Sequence, residues 1–245
     1  MDTILMYEEL SLNSHPASQT QLYDGWLLRF ANGYTKRANS VSPLYPGALD
    51  PLSKIEYCEE MYTSRGIPVM FKLTPRSDPE IDRLLEARGY AILDPTYLMS
   101  LDLRDKDFLI GDCAFTHRAD DAWLDAFCGF SGYTDSLTRA NAKLILDNVT
   151  TALTLGRLVK DGRCVACGAT VIERGYAALL NIVVDGSKRG KGYGAEVCAS
   201  LLAVTKNAGA HTAYLQVIEQ NHVAVNLYKK LGFDALYTYW YRTKT

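Results

Sequence analysis

The sequence predicts a mixed α/β protein of the α+β class, with two domains that each contain a mostly antiparallel twisted sheet flanked by helices. Its 245 residues exceed the usual size of one domain but suit two domains of about 100 to 130 residues. Three apolar runs in the second half are joined by Asp161-Gly162 and Arg174-Gly175. Turns this short connect antiparallel strands, so these runs predict a meander.

The first half alternates helices and strands. Helical spacing predicts helices at residues 4–12, 51–64 and 79–88. Extended apolar runs predict strands at residues 25–30, 34–41, 67–73 and 97–103. The pair Asn32-Gly33, between the first two of these strands, predicts a hairpin.

The second half shows clearer patterns. Helices are predicted at residues 121–130, 137–149, 193–207 and 222–231. Strands are predicted at residues 155–160, 163–173, 176–184, 214–217 and 236–242. Residues 105 to 113 mix charge and glycine without periodicity, so the boundary between the predicted domains, 1–104 and 112–245, lies there.

Composition excludes several functional classes. The formal charge of -2 argues against a partner bound by bulk electrostatics, such as nucleic acid or an anionic membrane. The longest apolar stretch, residues 176–184, is too short to span a bilayer. The first residues lack the basic and apolar regions of a secretory signal, which predicts a cytoplasmic protein.

No metal site or disulfide is expected. The six cysteines are scattered through apolar contexts, which is typical of reduced, buried thiols. Cys164 and Cys167 would point to opposite faces of a strand, and no second pair exists. The histidines have no spacing suited to a metal.

A basic, glycine-rich loop separates the strand at 176–184 from the helix at 193–207. Its residues are Arg189, Gly190, Lys191, Gly192, Tyr193 and Gly194. Glycines permit positive φ and close backbone approach, so amides at the helix start can converge on a pyrophosphate. A flexible basic loop is the alternative. A dinucleotide fingerprint is disfavoured, since five residues separate Val184 from Gly190 and tight hairpins precede it.

The second half resembles the Gcn5-related N-acetyltransferase (GNAT) superfamily. Arg189-x-x-Gly192-x-Gly194 matches that family's acyl-CoA signature, [Q/R]-x-x-G-x-[G/A]. The motifs before and after it occur in the family's order and spacing, namely Asn181-Ile182-Val183-Val184-Asp185, Leu215-Gln216-Val217, Asn221-His222-Val223-Ala224 and Leu227-Tyr228-Lys229-Lys230-Leu231-Gly232-Phe233.

This resemblance implies acetyl-CoA as cosubstrate and assigns roles to the residues that match. The amides of Arg189 through Ala195 would bind the CoA pyrophosphate. Residues Ile182 to Val184 would hydrogen-bond the pantetheine arm where two strands diverge, and the Val183 N–H would polarise the thioester carbonyl. Asn221 would cap its helix or bind the pantetheine, and Ala224 would leave room for the cosubstrate.

The resemblance also implies a proton donor. Tyr228 matches the family's tyrosine that protonates the departing thiolate, and a core tyrosine is the alternative, because its neighbours on one helical face are apolar. The general base stays open. Strand 176–184 contains no carboxylate, which leaves Glu173, Glu219 or a water relay anchored by Asn181.

The first half resembles the N-terminal portion of bacterial tandem GNAT-like proteins, through residues 23–30 and 33–41. It has no counterpart of the Arg189–Gly194 loop, so a degenerate copy without CoA is expected. Arg37, Asn39 and Trp26 are candidates to line an acceptor cleft, and an ordinary hairpin explains them equally well. The aromatic strand at 237–241 would wall the acceptor pocket or lie in a core.

Together these patterns predict an N-acetyltransferase that transfers the acetyl group of acetyl-CoA to a primary amine of a small molecule. The amine would attack directly in a ternary complex. A non-catalytic acyl-CoA-binding sensor or scaffold is the alternative. The expected partners are acetyl-CoA and an amine acceptor, with neither nucleic acid nor membrane, in a monomer or homodimer.

Overall fold

The computed structural model describes residues 2–244 and has a mixed α/β architecture. The α-helices are α1 (Thr3–Ser14), α2 (Pro51–Thr63), α3 (Pro79–Ala87), α4 (Asp121–Ser131), α5 (Ser136–Asp147), α6 (Tyr193–Asn207) and α7 (His222–Lys230). The strands are β1 (Gln19–Tyr23), β2 (Trp26–Phe30), β3 (Val41–Pro43), β4 (Met70–Leu73), β5 (Ala91–Asp102), β6 (Cys113–Thr116), β7 (Ala152–Lys160), β8 (Arg163–Glu173), β9 (Tyr176–Val184), β10 (Thr212–Ile218) and β11 (Asp234–Thr243).

Most helices begin at a side-chain cap. Asp50 accepts a hydrogen bond from the Ser53 N–H at 2.9 Å, and Asp120 accepts one from the Trp123 N–H at 2.7 Å. Each cap satisfies an amide that has no partner inside the helix. α6 differs, because its N-cap is Gly192, which has no side chain to cap it.

Spatial contacts divide the chain into two compact units. The first unit comprises Met1–Tyr97, Ile218–Gln220 and Tyr237–Thr245, and the second comprises Leu98–Val217 and Asn221–Leu236. The chain therefore passes between the units several times. The sequence-defined domains, 1–104 and 112–245, stay a prediction.

The first unit has the strand order β1-β2-β3-β4-β11. β1 pairs antiparallel with β2, β2 with β3, and β4 with β11, whereas β3 and β4 are parallel. Aromatic residues fill its core, and Phe71 makes edge contacts with Trp26 and Tyr90 at centroid distances of 6.1 and 5.5 Å. Most of the final strand of the chain thus belongs to the first unit, where it pairs with β4.

The second unit has the strand order β10-β9-β8-β7-β6. The strands β7, β8 and β9 form the predicted antiparallel meander. β6, which no sequence pattern indicates, pairs antiparallel with β7 and extends it. β9 and β10 are parallel, and α6 connects them. Among residues 2–244, no helix combines the length and apolarity that a bilayer crossing demands.

The predicted tight turn at Asn32-Gly33 is wrong, although the strands before and after it, β2 and β3, do pair antiparallel. Asn32 and Gly33 do adopt positive φ, but they start an irregular loop before the short strand β3. The tight hairpin lies at Asp24-Gly25, where Tyr23 pairs with Trp26. Non-local contacts select it, because the Asp24 carboxylate accepts hydrogen bonds from the Ala48 and Leu49 amides at 2.9 and 3.0 Å.

A buried arginine stabilises the position of β11 in the first unit. Arg242 is 4% exposed, and it donates to Asp82 at 2.8 and 3.1 Å and to the Tyr90 carbonyl at 3.0 Å. We expect Arg242→Met to lower the free energy of unfolding by about 2 kcal/mol at pH 7, because it leaves Asp82 without its charged partner. Urea unfolding measures the loss.

The stability that Arg242→Met loses should depend on pH. The hydrogen bond from Arg242 lowers the pKa of Asp82 below its ordinary value of 3.8. The stabilisation from the Arg242–Asp82 pair is therefore complete above the pKa that Asp82 has in the unfolded chain. It is lost as the pH falls through the lower pKa that Asp82 has in the folded protein. The difference between wild type and Arg242→Met should shrink below about pH 4. Arg104→Met, in an exposed pair with Asp102, is the control, and an equal loss in both variants would contradict the prediction.

Candidate active site

The loop after β9 exposes its backbone. Asp185 accepts a hydrogen bond from the Ser187 N–H at 2.9 Å and starts a short 3₁₀ turn. Gly190 and Gly192 follow with φ of 78° and 83°. A Cβ at either position would meet no atom within 4 Å. These glycines therefore provide the left-handed backbone and leave open space above it.

The first turn of α6 offers amides with no partner inside the helix. The first intrahelical bond runs from the Glu196 N–H to the Gly192 carbonyl at 3.1 Å. The N–H groups of Tyr193, Gly194 and Ala195 precede it in the chain. The helix dipole adds positive potential here, and Arg189 and Lys191 are exposed beside it. This cradle fits a diphosphate.

Gly194 has a packing role within the cradle. A Cβ there would lie 3.3 Å from Cδ2 of Leu227 on α7 and 3.5 Å from Cγ2 of Val184 on β9. A larger residue would push these elements apart. Gly194 therefore keeps the start of α6 close to the end of β9.

The parallel strands β9 and β10 separate partway along their length. They pair only from Tyr176–Thr212 to Ala178–Tyr214. β9 continues to Val184, and β10 continues to Ile218. Six further residues of β9, about 20 Å of strand, have no pairing with β10. Within the second unit this divergence opens a gap at the end of β9 that leads to α6.

A β-bulge lies in the separated part of β9. Leu180 pairs with Ala169 and Val183 with Cys167, so Asn181 and Ile182 together oppose Gly168. Asn181 has a φ of 52°, in the left-handed region. Asn181 is a candidate site residue from the sequence, but no local motif signals a bulge there. The bulge redirects the backbone at the point where the strands diverge.

Gly168 makes the bulge possible. A Cβ there would lie 2.4 Å from Cδ1 of Ile182 and 2.9 Å from Cδ1 of Leu201. We expect Gly168→Ala to lower the free energy of unfolding by about 1–2 kcal/mol, because buried side chains must shift to admit the methyl group. Thermal unfolding monitored by circular dichroism measures this effect.

The matched control is Gly129→Ala on α4, where a Cβ would meet nothing within 4 Å. Alanine favours a helix over glycine by about 0.5–1 kcal/mol, so this variant should be unchanged or more stable. A Gly168→Ala protein as stable as wild type would show that the bulge tolerates a side chain.

α7 presents the predicted proton donor. Asn221 caps this helix by accepting a hydrogen bond from the Ala224 N–H at 3.2 Å. Ala224 and Tyr228 lie one turn apart on the same face. Tyr228 is 9% exposed, and its ring makes an edge contact with Phe233 at a centroid distance of 6.0 Å. The side-chain oxygen of Asn221 therefore serves the cap, and the buried phenol lies one turn beyond Ala224.

The two carboxylates considered as bases lie in different settings. Glu173 flanks the β8–β9 turn and pairs in register with Tyr176, at the end of β9 opposite Val184. Glu219 belongs to the first unit, where it accepts a hydrogen bond from the Thr238 hydroxyl at 2.9 Å. Asn181 is the polar side chain at the bulge itself.

The remaining candidate residues from the sequence lie in a core or hold a loop in place. Burial raises the pKa of the Cys167 thiol, and Cys198 is buried likewise. Within residues 2–244 no group of three or more histidine, cysteine or acidic side chains is arranged to hold a metal ion. The Asn39 side chain stabilises its own loop, because it accepts hydrogen bonds from the Ala31 and Gly33 amides at 2.8 and 3.0 Å. Trp26 lies in the core of the first unit.

The second unit thus combines exposed backbone amides at the start of α6, a gap between diverging parallel strands and a buried phenol on α7. This combination defines the class of acyl-CoA-dependent transferases of the GNAT fold. Comparisons with known proteins agree. A family model described as "Probable histone acetyltransferase Rv0428c C-terminal" matches residues 3–242.

Individual relatives agree as well. The chain is 32% identical over 250 residues to "Uncharacterized N-acetyltransferase YobR" of Bacillus subtilis (strain 168), covering 100% of both chains. A GCN5-related N-acetyltransferase from Kribbella flavida superposes with a TM-score of 0.72 at 15% identity, over 100% of this chain and 96% of that one. A tandem GNAT protein from the clavulanic acid biosynthesis pathway gives 0.64 at 12% identity, over 96% and 87%. The chain belongs to the GNAT superfamily and is an N-acetyltransferase of that family.

Proposed function

We propose that this N-acetyltransferase transfers an acetyl group from acetyl-CoA to a primary amine of a small molecule, by direct attack within a ternary complex. One observation carries the proposal. The uncapped start of α6 lies at the end of β9 where that strand diverges from β10. When the diphosphate of acetyl-CoA is held there, the pantetheine arm attached to it lies along the part of β9 that is not paired with β10.

The chain's own residues account for the binding of the cosubstrate. The backbone amides from Arg189 through Ala195 bind the diphosphate, and Gly190 and Gly192 keep the approach open. The edge of β9 that faces away from β8 binds the amide groups of the pantetheine arm, much as a neighbouring strand would. Acetyl-CoA, when bound, supplies an activated thioester.

The strand register selects the amide that polarises the thioester. The Asp185 N–H donates to the Val165 carbonyl at 3.0 Å. Alternation along an antiparallel ladder then directs the Val183 N–H towards β8, and the Val184 N–H away from it. Ile182 lies in the bulge without a register partner. The same alternation turns the Ile182 N–H away from β8, and Ile182 lies nearer than Val184 to the point where β9 leaves β10. We therefore assign the polarising role, which the resemblance gave to Val183, to the Ile182 N–H.

Tyr228 donates the proton that the departing thiolate requires. The phenol lies on α7, one turn after Ala224, in a buried position that excludes bulk water. The attacking amine must lose a proton, and no carboxylate lies on β9. A water bound by the Asn181 side chain, at the bulge, relays that proton to solvent.

The first unit has no counterpart of the glycine-rich loop, which supports its reading as a degenerate copy that binds no CoA. We therefore infer that the role of the first unit is structural rather than catalytic. We propose that the protein works as a monomer or homodimer, with acetyl-CoA and the amine as its substrates.

A direct assay tests this function. The wild-type protein is incubated with acetyl-CoA and a panel of primary amines, and free thiol release is followed alongside mass increase of the amine. Calorimetry measures acetyl-CoA binding in parallel. Turnover with at least one small amine is the expected result. Binding without transfer to any amine would favour the sensor or scaffold, for which the missing strand carboxylate is the supporting observation.

A further inference from the structure

Trp123 lies in the core of the second unit, with its indole N–H directed at the β-bulge. The side chain is fully buried, and its Nε1 donates to the Gly168 carbonyl at 3.1 Å. An indole N–H can only donate, so a buried one needs an acceptor. Gly168 is the residue that Asn181 and Ile182 together oppose. This hydrogen bond therefore joins α4 to the residue of β8 that faces the bulge.

Contacts within α4 hold Trp123 in place. The Trp123 backbone N–H donates to the carboxylate of Asp120, the N-cap residue of α4, at 2.7 Å. The Trp123 ring stacks on that of Phe127, one turn further along the helix, with 5.0 Å between centroids and 15° between planes. Side chains in a close-packed interior have little room to move. The helix therefore fixes the position of the indole N–H.

Both faces of β8 are covered at Gly168. Residues 165–171 are buried without interruption, and successive residues of a strand point to opposite faces of the sheet. α4 and α6 both pack against β8, so the two helices cover the two faces. A Cβ at Gly168 would lie 2.9 Å from Cδ1 of Leu201 on α6. Leu201 thus closes the α6 face, and Trp123 binds the carbonyl from the α4 face.

This hydrogen bond forms because the ladder is irregular at Gly168. In a regular antiparallel ladder, a carbonyl lies in the plane of the sheet and accepts from the neighbouring strand. A side chain of a helix on the face of the sheet reaches a carbonyl where the peptide plane is tilted towards it, as the disrupted ladder at a bulge permits. Trp123 therefore stabilises the orientation of the Gly168 peptide that the bulge requires.

We propose that Trp123 is a positioning residue for acetyl transfer, because its indole N–H fixes the bulge through the Gly168 carbonyl. The bulge in turn orients the Ile182 amide and the Asn181 side chain. This inference rests on the proposed function, which assigns these two groups to the thioester carbonyl and to the water relay. A misdirected amide stabilises the transition state less, whereas the amides at the start of α6 that bind the diphosphate lie outside the bulge. Loss of the hydrogen bond should therefore lower kcat and spare the affinity for acetyl-CoA.

Two replacements of Trp123 test this role in the full-length protein. Trp123→Phe removes the N–H and keeps an aromatic ring. Benzothienylalanine at position 123, in which sulfur takes the place of the N–H, also keeps the size of the ring and so preserves the packing. Both proteins should show kcat lower by roughly tenfold, with Kd for acetyl-CoA within about twofold of wild type. Steady-state kinetics and calorimetry measure the two quantities.

Nuclear magnetic resonance of labelled protein gives a readout that needs no turnover. The amide resonances of Asn181 and Ile182 should shift in both proteins, because the peptide opposite them is no longer held. Trp240→Phe is the matched control, since Trp240 Nε1 donates to Asp82 at the same distance, 3.1 Å, in the first unit. It should keep wild-type kcat and leave the two resonances in place.

Unchanged kcat in the benzothienylalanine protein would overturn the inference, and so would an equal fall of kcat in Trp240→Phe. Asn181 and Ile182 resonances that stay in place in both Trp123 replacements would overturn it as well. If the wild type transfers acetyl to no amine, the proposed function fails, and the resonances still decide whether Trp123 fixes the bulge.

Discussion

Replacing Tyr228 by phenylalanine is expected to reduce kcat about 100- to 1000-fold and to leave the affinity for acetyl-CoA within about twofold of wild type. The change removes a hydroxyl but keeps the ring that packs against Phe233. A role in proton donation to the leaving thiolate predicts a loss confined to the chemical step. Steady-state kinetics and calorimetric binding of acetyl-CoA measure the two quantities.

The control is Tyr133→Phe, which makes the same chemical change at a tyrosine of the second unit that is 39% exposed. It should retain wild-type kcat. If Tyr228→Phe keeps its activity too, Tyr228 is a core residue and the proton comes from elsewhere. If Tyr228→Phe loses activity and binding together, the hydroxyl acts on the shape of the site rather than on proton transfer.

Replacing Gly192 by aspartate is expected to weaken acetyl-CoA binding by roughly 100-fold, which corresponds to about 3 kcal/mol. Aspartate tolerates the left-handed region better than most residues, at a cost of about 1 kcal/mol. Its carboxylate repels a diphosphate at the cradle. Binding should therefore fall by far more than the loss of about 1 kcal/mol in the free energy of unfolding that the left-handed backbone causes. Calorimetry and urea unfolding measure the two effects.

Gly162→Asp provides the matched control. Gly162 lies in the β7–β8 turn with φ of 74°, and a Cβ there would meet no atom within 4 Å. The new charge and the backbone requirement are the same, but the position is outside the cradle, so acetyl-CoA binding should be unchanged. Undiminished binding by Gly192→Asp would mean that the start of α6 does not hold the diphosphate.

Much of the candidate site was predictable because its signals are local. The bounds of β8, β9 and α6 agree with the predicted ranges, since tight turns and helical spacing depend on neighbouring residues. The same holds for Gly190 and Gly192, whose positive φ follows from their position in a strand-to-helix loop. The roles of the individual site residues, from Arg189 to Tyr228, stay predictions until ligand binding and turnover are measured.

Local sequence signals did not predict which turn closes the tight hairpin, because two segments carried the same signal. Asp24-Gly25 and Asn32-Gly33 both suit a two-residue hairpin turn, and both adopt positive φ. Only the first closes a tight hairpin, because the Asp24 carboxylate binds amides of residues 48 and 49, while Asn39 holds the segment after Asn32 in an irregular loop. Contacts more than 20 residues away thus decided the outcome at Asp24.

The amino-acid sequence by itself determined the mixed α/β class, the glycine-rich loop before α6 and the family, because these depend on short runs of residues in order. The tertiary structure decided the bulge at Asn181 and Ile182 and the place of most of β11 in the first unit. A strand's edge carries the same N–H and C=O groups whatever its sequence. Its partner and register are therefore set by how distant segments pack, which no local pattern records.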